Sequence, residues 1–137
     1  LWRRALEMMP NDPYNQLVRD CFSDPQHAGD LTNEYQITSA ATVAESVAGD
    51  RLTVTVGIDD GLIAAARFRA DACPHLIAAA ELACTGLENQ TIGGLRDFDS
   101  HKIMRRLSVP PEKIGKILVL EDVLTTLAQQ IEQSIQE

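Results

Sequence analysis

Residues 51–75 read RLTVTVGIDDGLIAAARFRADACPH. Leu52, Val54, Val56 and Ile58 alternate with Thr53 and Thr55, the period of a strand with one buried face. Asp59-Asp60-Gly61 carries the residue types of a tight hairpin turn. Past the turn, Leu62, Ala64, Ala66, Phe68 and Ala70 form one face of a returning strand, with Arg67 and Arg69 on the other. The strand runs out at Cys73, and Pro74 opens a helix at its first position, where the missing N–H costs nothing. Leu76, Ile77, Ala80, Ala83, Cys84 and Leu87 make the apolar stripe of that helix.

The flanks extend this pattern. Upstream, Tyr35, Ile37, Ser39, Ala41 and Val43 alternate and predict a first strand. Before it, Tyr14, Leu17, Val18, Cys21 and Phe22 recur at helical spacing, with Asp12-Pro13 as the expected cap and first-turn proline. Pro25 ends this helix near Ser23, and residues 23–32 read as a loop. Downstream, Ile92 to Leu95 is a short connector, and Asp99 or Ser100 caps a helix carrying Ile103, Met104 and Leu107. Pro110-Pro111 breaks the chain. Ile114, Ile117, Leu118, Leu124, Leu127 and Ile131 then stripe a long last helix. An N-terminal helix, then strands, then helices predicts an α+β fold: a three-stranded antiparallel sheet covered on one face by helices.

Residues 14–134 read as one domain and residues 1–13 as a flexible N-terminal extension, with Met8 or Met9 as an alternative start. A chain of 137 residues is one domain by size. Its formal charge of −8 argues against nucleic acid as the main partner, because phosphate binding needs a basic surface. No apolar run approaches the roughly 20 residues that span a bilayer, so no membrane partner is expected. Arg3-Arg4 is not followed by the apolar run of a signal peptide. Three widely spaced cysteines fit reduced thiols in a cytoplasm better than a disulfide framework. Cys21 and Cys84 lie on apolar stripes and read as small core fillers. Cys73 differs, because unpaired N–H groups at a helix N-terminus favour the thiolate that binds metal and accepts sulfur.

Three marks along residues 14–130 carry a resemblance. They are Val47-Ala48-Gly49-Asp50 before the second strand, Cys73 at the strand–helix junction, and Val109-Pro110-Pro111-Glu112-Lys113 before the last helix. Together they resemble the iron–sulfur cluster scaffold family of the IscU and NifU N-terminal-domain type. That family reads Ala-Cys-Gly-Asp at the first mark, where this chain has Ala48. It has histidine and cysteine where this chain has Gly115 and Lys116. One of three expected ligand cysteines therefore remains.

The resemblance implies a role for each matching residue. Cys73 and Asp50 are the implied ligands for iron or an iron–sulfur cluster, with zinc as a substitute metal. His75 is a candidate replacement ligand, its other reading being a solvated first-turn residue. Gly49 permits the backbone of the Asp50 turn. Lys116, standing at the third cysteine position, is expected to approach Cys73 and Asp50 and to pair with Asp50. His27 and His101 join no recognisable cluster. In the family, Val109, Pro110, Pro111, Glu112 and Lys113 correspond to the docking site of a heat-shock-type chaperone, although Glu112 here replaces an apolar residue.

The function so implied is assembly of iron–sulfur clusters, without enzymatic turnover. A cysteine desulfurase supplies sulfur and acceptor proteins take the cluster. With two cysteines missing, binding is expected to be weak, or completed by a second chain or an external thiol, which leaves an oligomer open. The alternative is a non-metal-binding interaction or regulatory protein that keeps the fold to engage desulfurase or chaperone, with no cofactor at all. A thiol enzyme using Cys73 as nucleophile ranks last, since His75 is its one nearby base.

Overall fold

The structure is a computed structural model and describes residues 15–32, 34–44 and 49–136. The elements in order are α1 (Gln16–Ser23), β1 (Ile37–Ala44), β2 (Arg51–Asp59), β3 (Leu62–Asp71), α2 (Pro74–Leu87), the single turn α3 (Gly93–Arg96), α4 (Ser100–Leu107), a 3-10 turn (Pro111–Lys113) and α5 (Ile114–Gln136). The strands form one antiparallel sheet in the order β1-β2-β3. The expected connector at Ile92 to Leu95 thus contains a helical turn. The flexible extension, the cap at Asp12-Pro13, Tyr14 and the Val47-Ala48 half of the first mark all lie outside the described residues.

The hairpin forms as its residues dictate. Asp60 and Gly61 both take positive φ, 53° and 77°, the backbone of a two-residue turn whose twist suits the strands. The third strand departs from simple alternation. Gly57 pairs with Ala65 and Ile58 with Ile63, so Ala64 is an extra residue, a β-bulge. The bulge shifts the inward face by one residue. Ile63 is fully buried and Leu62, expected on the inner face, is 43% exposed. Beyond the bulge Ala66 and Phe68 face inward as expected.

Leu52, Val54, Val56 and Ile58 of β2 meet Leu76 and Ala80 of α2 and Leu120, Leu124 and Leu127 of α5 in one apolar core. α2 lies against β3, and α5 against β1 and β2. On the opposite face Thr42 and Thr53 share a hydroxyl hydrogen bond at 2.6 Å, and Arg69 is exposed. α5 also packs on α2, α3 and α4, so its buried arc is wider than the sequence stripe. Val119, Leu120, Val123 and Ala128 join the core, while Ile114 and Leu118 stand 40% and 37% exposed.

The caps follow local chemistry. Asn15 caps α1, its side-chain oxygen accepting from the Val18 N–H at 2.9 Å. Asp99 caps α4 by accepting from the His101 N–H at 3.0 Å. β1 begins at Ile37, two residues later than the alternation suggested: the Gln36 N–H donates to Asp59 Oδ1 at 2.8 Å, and the Tyr35 ring lies over Gly57. A Cβ at residue 57 would sit 2.5 Å from Tyr35 Cγ and 2.9 Å from Cδ1. Gly57→Ala is therefore expected to displace the ring and cost about 1–2 kcal/mol, read as a lowered thermal midpoint. An unaltered midpoint would count against this contact.

Candidate functional site

β2 opens at Arg51, which pairs with Asp71 at the close of β3. Asp50 and Cys73 thus continue the two strands past the same end of the sheet. Gly49 enters this corner with φ +77°, a conformation that costs glycine little and other residues more. Asp50 is 7% exposed. Its Oδ2 lies 3.1 Å from Nζ of Lys116 in the first turn of α5. A carboxylate this buried needs a compensating cation, and the last helix supplies it.

Cys73 is the N-cap of α2, and its carbonyl accepts from the Ile77 N–H at 3.1 Å. Its side chain makes no capping hydrogen bond, so the sulfur is not consumed by the cap. Of the three cysteines Cys73 alone is not buried. Burial, reinforced by the charge of Glu81, pushes the thiols of Cys21 and Cys84 up. The core-filler reading of those two agrees with this environment.

His75 is not solvated. It is 1% exposed, in the first turn of α2. Burial, then the charge of Lys113, holds its imidazole below the ordinary value, with Glu112 opposing. The neutral ring is the form that tolerates an apolar site. The charges acting on the ring come from the Pro-Pro segment. Val109, Pro110 and Lys113 are half-buried there, and Pro111 and Glu112 are exposed. Among the described residues no three His, Cys, Asp or Glu side chains gather closely enough to hold a metal ion. Asp50 and Lys116 are in contact, Cys73 shares their end of the sheet, and His75 completes no ligand set with them.

A second polar centre forms around His27. His27 Nδ1 lies 2.6 Å from Glu81 Oε2, and Nε2 lies 2.8 Å from Glu88 Oε1. The His27 N–H donates to Glu81 Oε1 at 2.8 Å. Glu88 Oε2 also accepts from Arg67 at 2.9 Å and from the Ala66 N–H at 3.2 Å. His27 therefore does join a cluster, contrary to expectation. The one hint was Glu81 and Glu88 seven residues apart on a single helix face. The loop that brings His27 there has no periodicity to reveal it.

Residues 13–135 match the family described as the NifU-like N terminal domain. The chain belongs to this family. Among named relatives, the iron–sulfur cluster assembly scaffold protein IscU of Rickettsia prowazekii is 26% identical over 113 residues, 81% of this chain and 86% of that protein. The iron–sulfur cluster assembly protein IscU of Plasmodium falciparum is 28% identical over 111 residues, 81% of this chain and 68% of that protein. The N-terminal NifU-like protein of Brucella abortus superposes with a TM-score of 0.68 at 17% identity, covering 87% of this chain and 94% of that one. This last likeness concerns the fold: a three-stranded antiparallel sheet with helices.

Proposed function

We propose that this protein acts in iron–sulfur cluster assembly as a scaffold-type protein, with Cys73 as the point where sulfur or a nascent cluster is held. One observation carries the reading within a family of scaffolds. The single unburied thiol, its sulfur left free by the cap, stands at a helix N-terminus and at the same end of the sheet as a buried carboxylate. The carboxylate is a hard oxygen donor, which holds iron less firmly than sulfur does and suits a cargo that must leave.

The donor set of one chain is incomplete. Clusters ordinarily take four protein ligands, and a structural zinc also wants four. Here one thiol shares a sheet end with a carboxylate already paired with Lys116. The remaining ligands are therefore supplied from outside, by a second chain, a small thiol or the acceptor protein. A cysteine desulfurase as sulfur source and apo-proteins as acceptors complete this reading, in a reducing cytoplasm and without catalytic turnover by this chain. Tight chaperone docking at the Pro-Pro segment is not expected, because Glu112 puts a charge where an apolar groove would close.

The ion pair also favours a second reading. A carboxylate satisfied by an internal ammonium has less need of metal, as in a protein that keeps the fold to engage assembly partners. One experiment separates the two. The chain is incubated anaerobically with iron, sulfide and a desulfurase, beside Cys73→Ser, and followed by visible absorption and metal analysis. The scaffold reading expects charge-transfer bands that disappear in the variant. Equal spectra, or no iron in either, would sink it and favour the interaction protein.

A further inference from the structure

His27 lies in the segment between α1 and β1, far in sequence from the groups it meets. Its imidazole is clasped at both nitrogens by carboxylates of α2, Glu81 and Glu88. Only an imidazolium can donate to two carboxylates at once, because a neutral ring has one N–H and one lone pair. The side chains are substantially covered, His27 at 14% exposure, Glu81 at 8% and Glu88 at 25%. The other groups facing this cluster are Arg67 of β3, paired with Glu88, and Thr85 of α2, whose hydroxyl lies 3.4 Å from Glu81. Burial, then the charge of Glu81, raises the pKa of the Cys21 thiol on α1.

The clasp has a mechanical partner. The Phe68 N–H donates to the His27 carbonyl at 2.9 Å, and the Gly29 N–H donates to the Phe68 carbonyl at 2.8 Å. Residues 27–29 thus close part of the free edge of β3 as a short parallel bridge. The same segment, with Pro25, Ala28 and Gly29, walls a cavity of about 430 Å³ whose other sides include Phe22, Phe68 and Ile77. Ile77 is one turn along α2 from Cys73.

We propose that His27 is a proton-operated latch, fastening residues 24–30 across the edge of β3 and over this cavity while the ring is charged and releasing them when it is neutral. Losing a proton leaves one carboxylate facing a ring lone pair, so an attraction becomes a repulsion in a poorly solvated place. Burial alone would lower the pKa of His27. The hydrogen bonds and charges of Glu81 and then Glu88 outweigh it, and the net shift is upward from 6.5. The sign follows from linkage. A raised folded-state value gives stability that is complete below the unfolded value and is lost as pH rises through the folded one. The latch is closed in acid and opens on the alkaline side of the ordinary histidine range. Its release would bare a strand edge and the hollow against Ile77, a pairing surface of the kind a partner's extended segment uses.

Amide hydrogen exchange tests this on the whole chain, with rates corrected for intrinsic pH dependence. Protection at Gly29 and Phe68 should fall about fivefold to tenfold as His27 titrates. Ile63, whose N–H donates to the Gln90 carbonyl farther along the same edge, should not change. In His27→Gln the fall should vanish, since glutamine has no proton to lose. In Glu88→Gln the midpoint should move to lower pH, because one stabilising charge is gone. Protection of Gly29 that is independent of pH in the wild type overturns the proposal. So does an equal fall in His27→Gln, or a midpoint unmoved in Glu88→Gln. None of these readouts depends on Cys73 or on iron, so the latch and the assembly role fail separately.

Discussion

Lys116→Met is expected to lower stability by about 2 kcal/mol, seen as a reduced urea midpoint with an unchanged slope. The variant keeps an apolar stem of similar length, so packing changes little. What it loses is the ammonium 3.1 Å from the buried Asp50 carboxylate. Breaking a fully buried pair costs about 3–5 kcal/mol. The Lys116 side chain is 22% exposed and that of Asp50 10%, so water and salt recover part of the loss and the lower figure applies. Adding Asp50→Asn to Lys116→Met should cost less than the sum of the two single changes, because the stranded charge is then removed as well. Additive effects would mean that the pair contributes nothing.

Leu76→Ala should be more damaging, at about 3 kcal/mol. Leu76 is fully buried in the first turn of α2 and belongs to the central core cluster. Truncation removes transfer free energy and leaves a cavity under the turn that presents Cys73. For a chain of this length the thermal midpoint should fall by about 10 °C. A drop below about 2 °C would imply that the core collapses around the gap, which the close-packed neighbours Ala79 and Ala80 make difficult.

The hairpin was legible because each of its signals is local. The alternation of β2, the Asp60-Gly61 turn and the Cys73-Pro74 junction each span a few residues. The fold class followed from their order. The bulge at Ala64 was not legible, since alanines on both faces of β3 give no contrast between inside and outside. The exposure of Ile114 and Leu118 escaped for a different reason. Which apolar residues a helix buries depends on how many neighbours surround it, and that is a tertiary fact. At the site, the pairing of Lys116 with Asp50 was expected from the family frame and the geometry agrees. The burial of His75 was not expected, because a polar residue in a first turn ordinarily faces water. The His27 cluster joins residues 54 and 61 positions apart, a separation that periodicity cannot reach.

The order of the elements along the chain has a consequence for synthesis. The strands pair only with their sequence neighbours, so the sheet, with Asp50 and Cys73 at one end, can form from contiguous nascent chain. Lys116 arrives with the last helix, after α2, α3 and α4 have left the ribosome. For that interval the corner exists without its ammonium. A carboxylate and a thiol then share one end of a sheet that α5 does not yet cover. The final docking of α5 both seals the core and fills the charge. Until that docking, the burial of Asp50 has no ammonium to offset it.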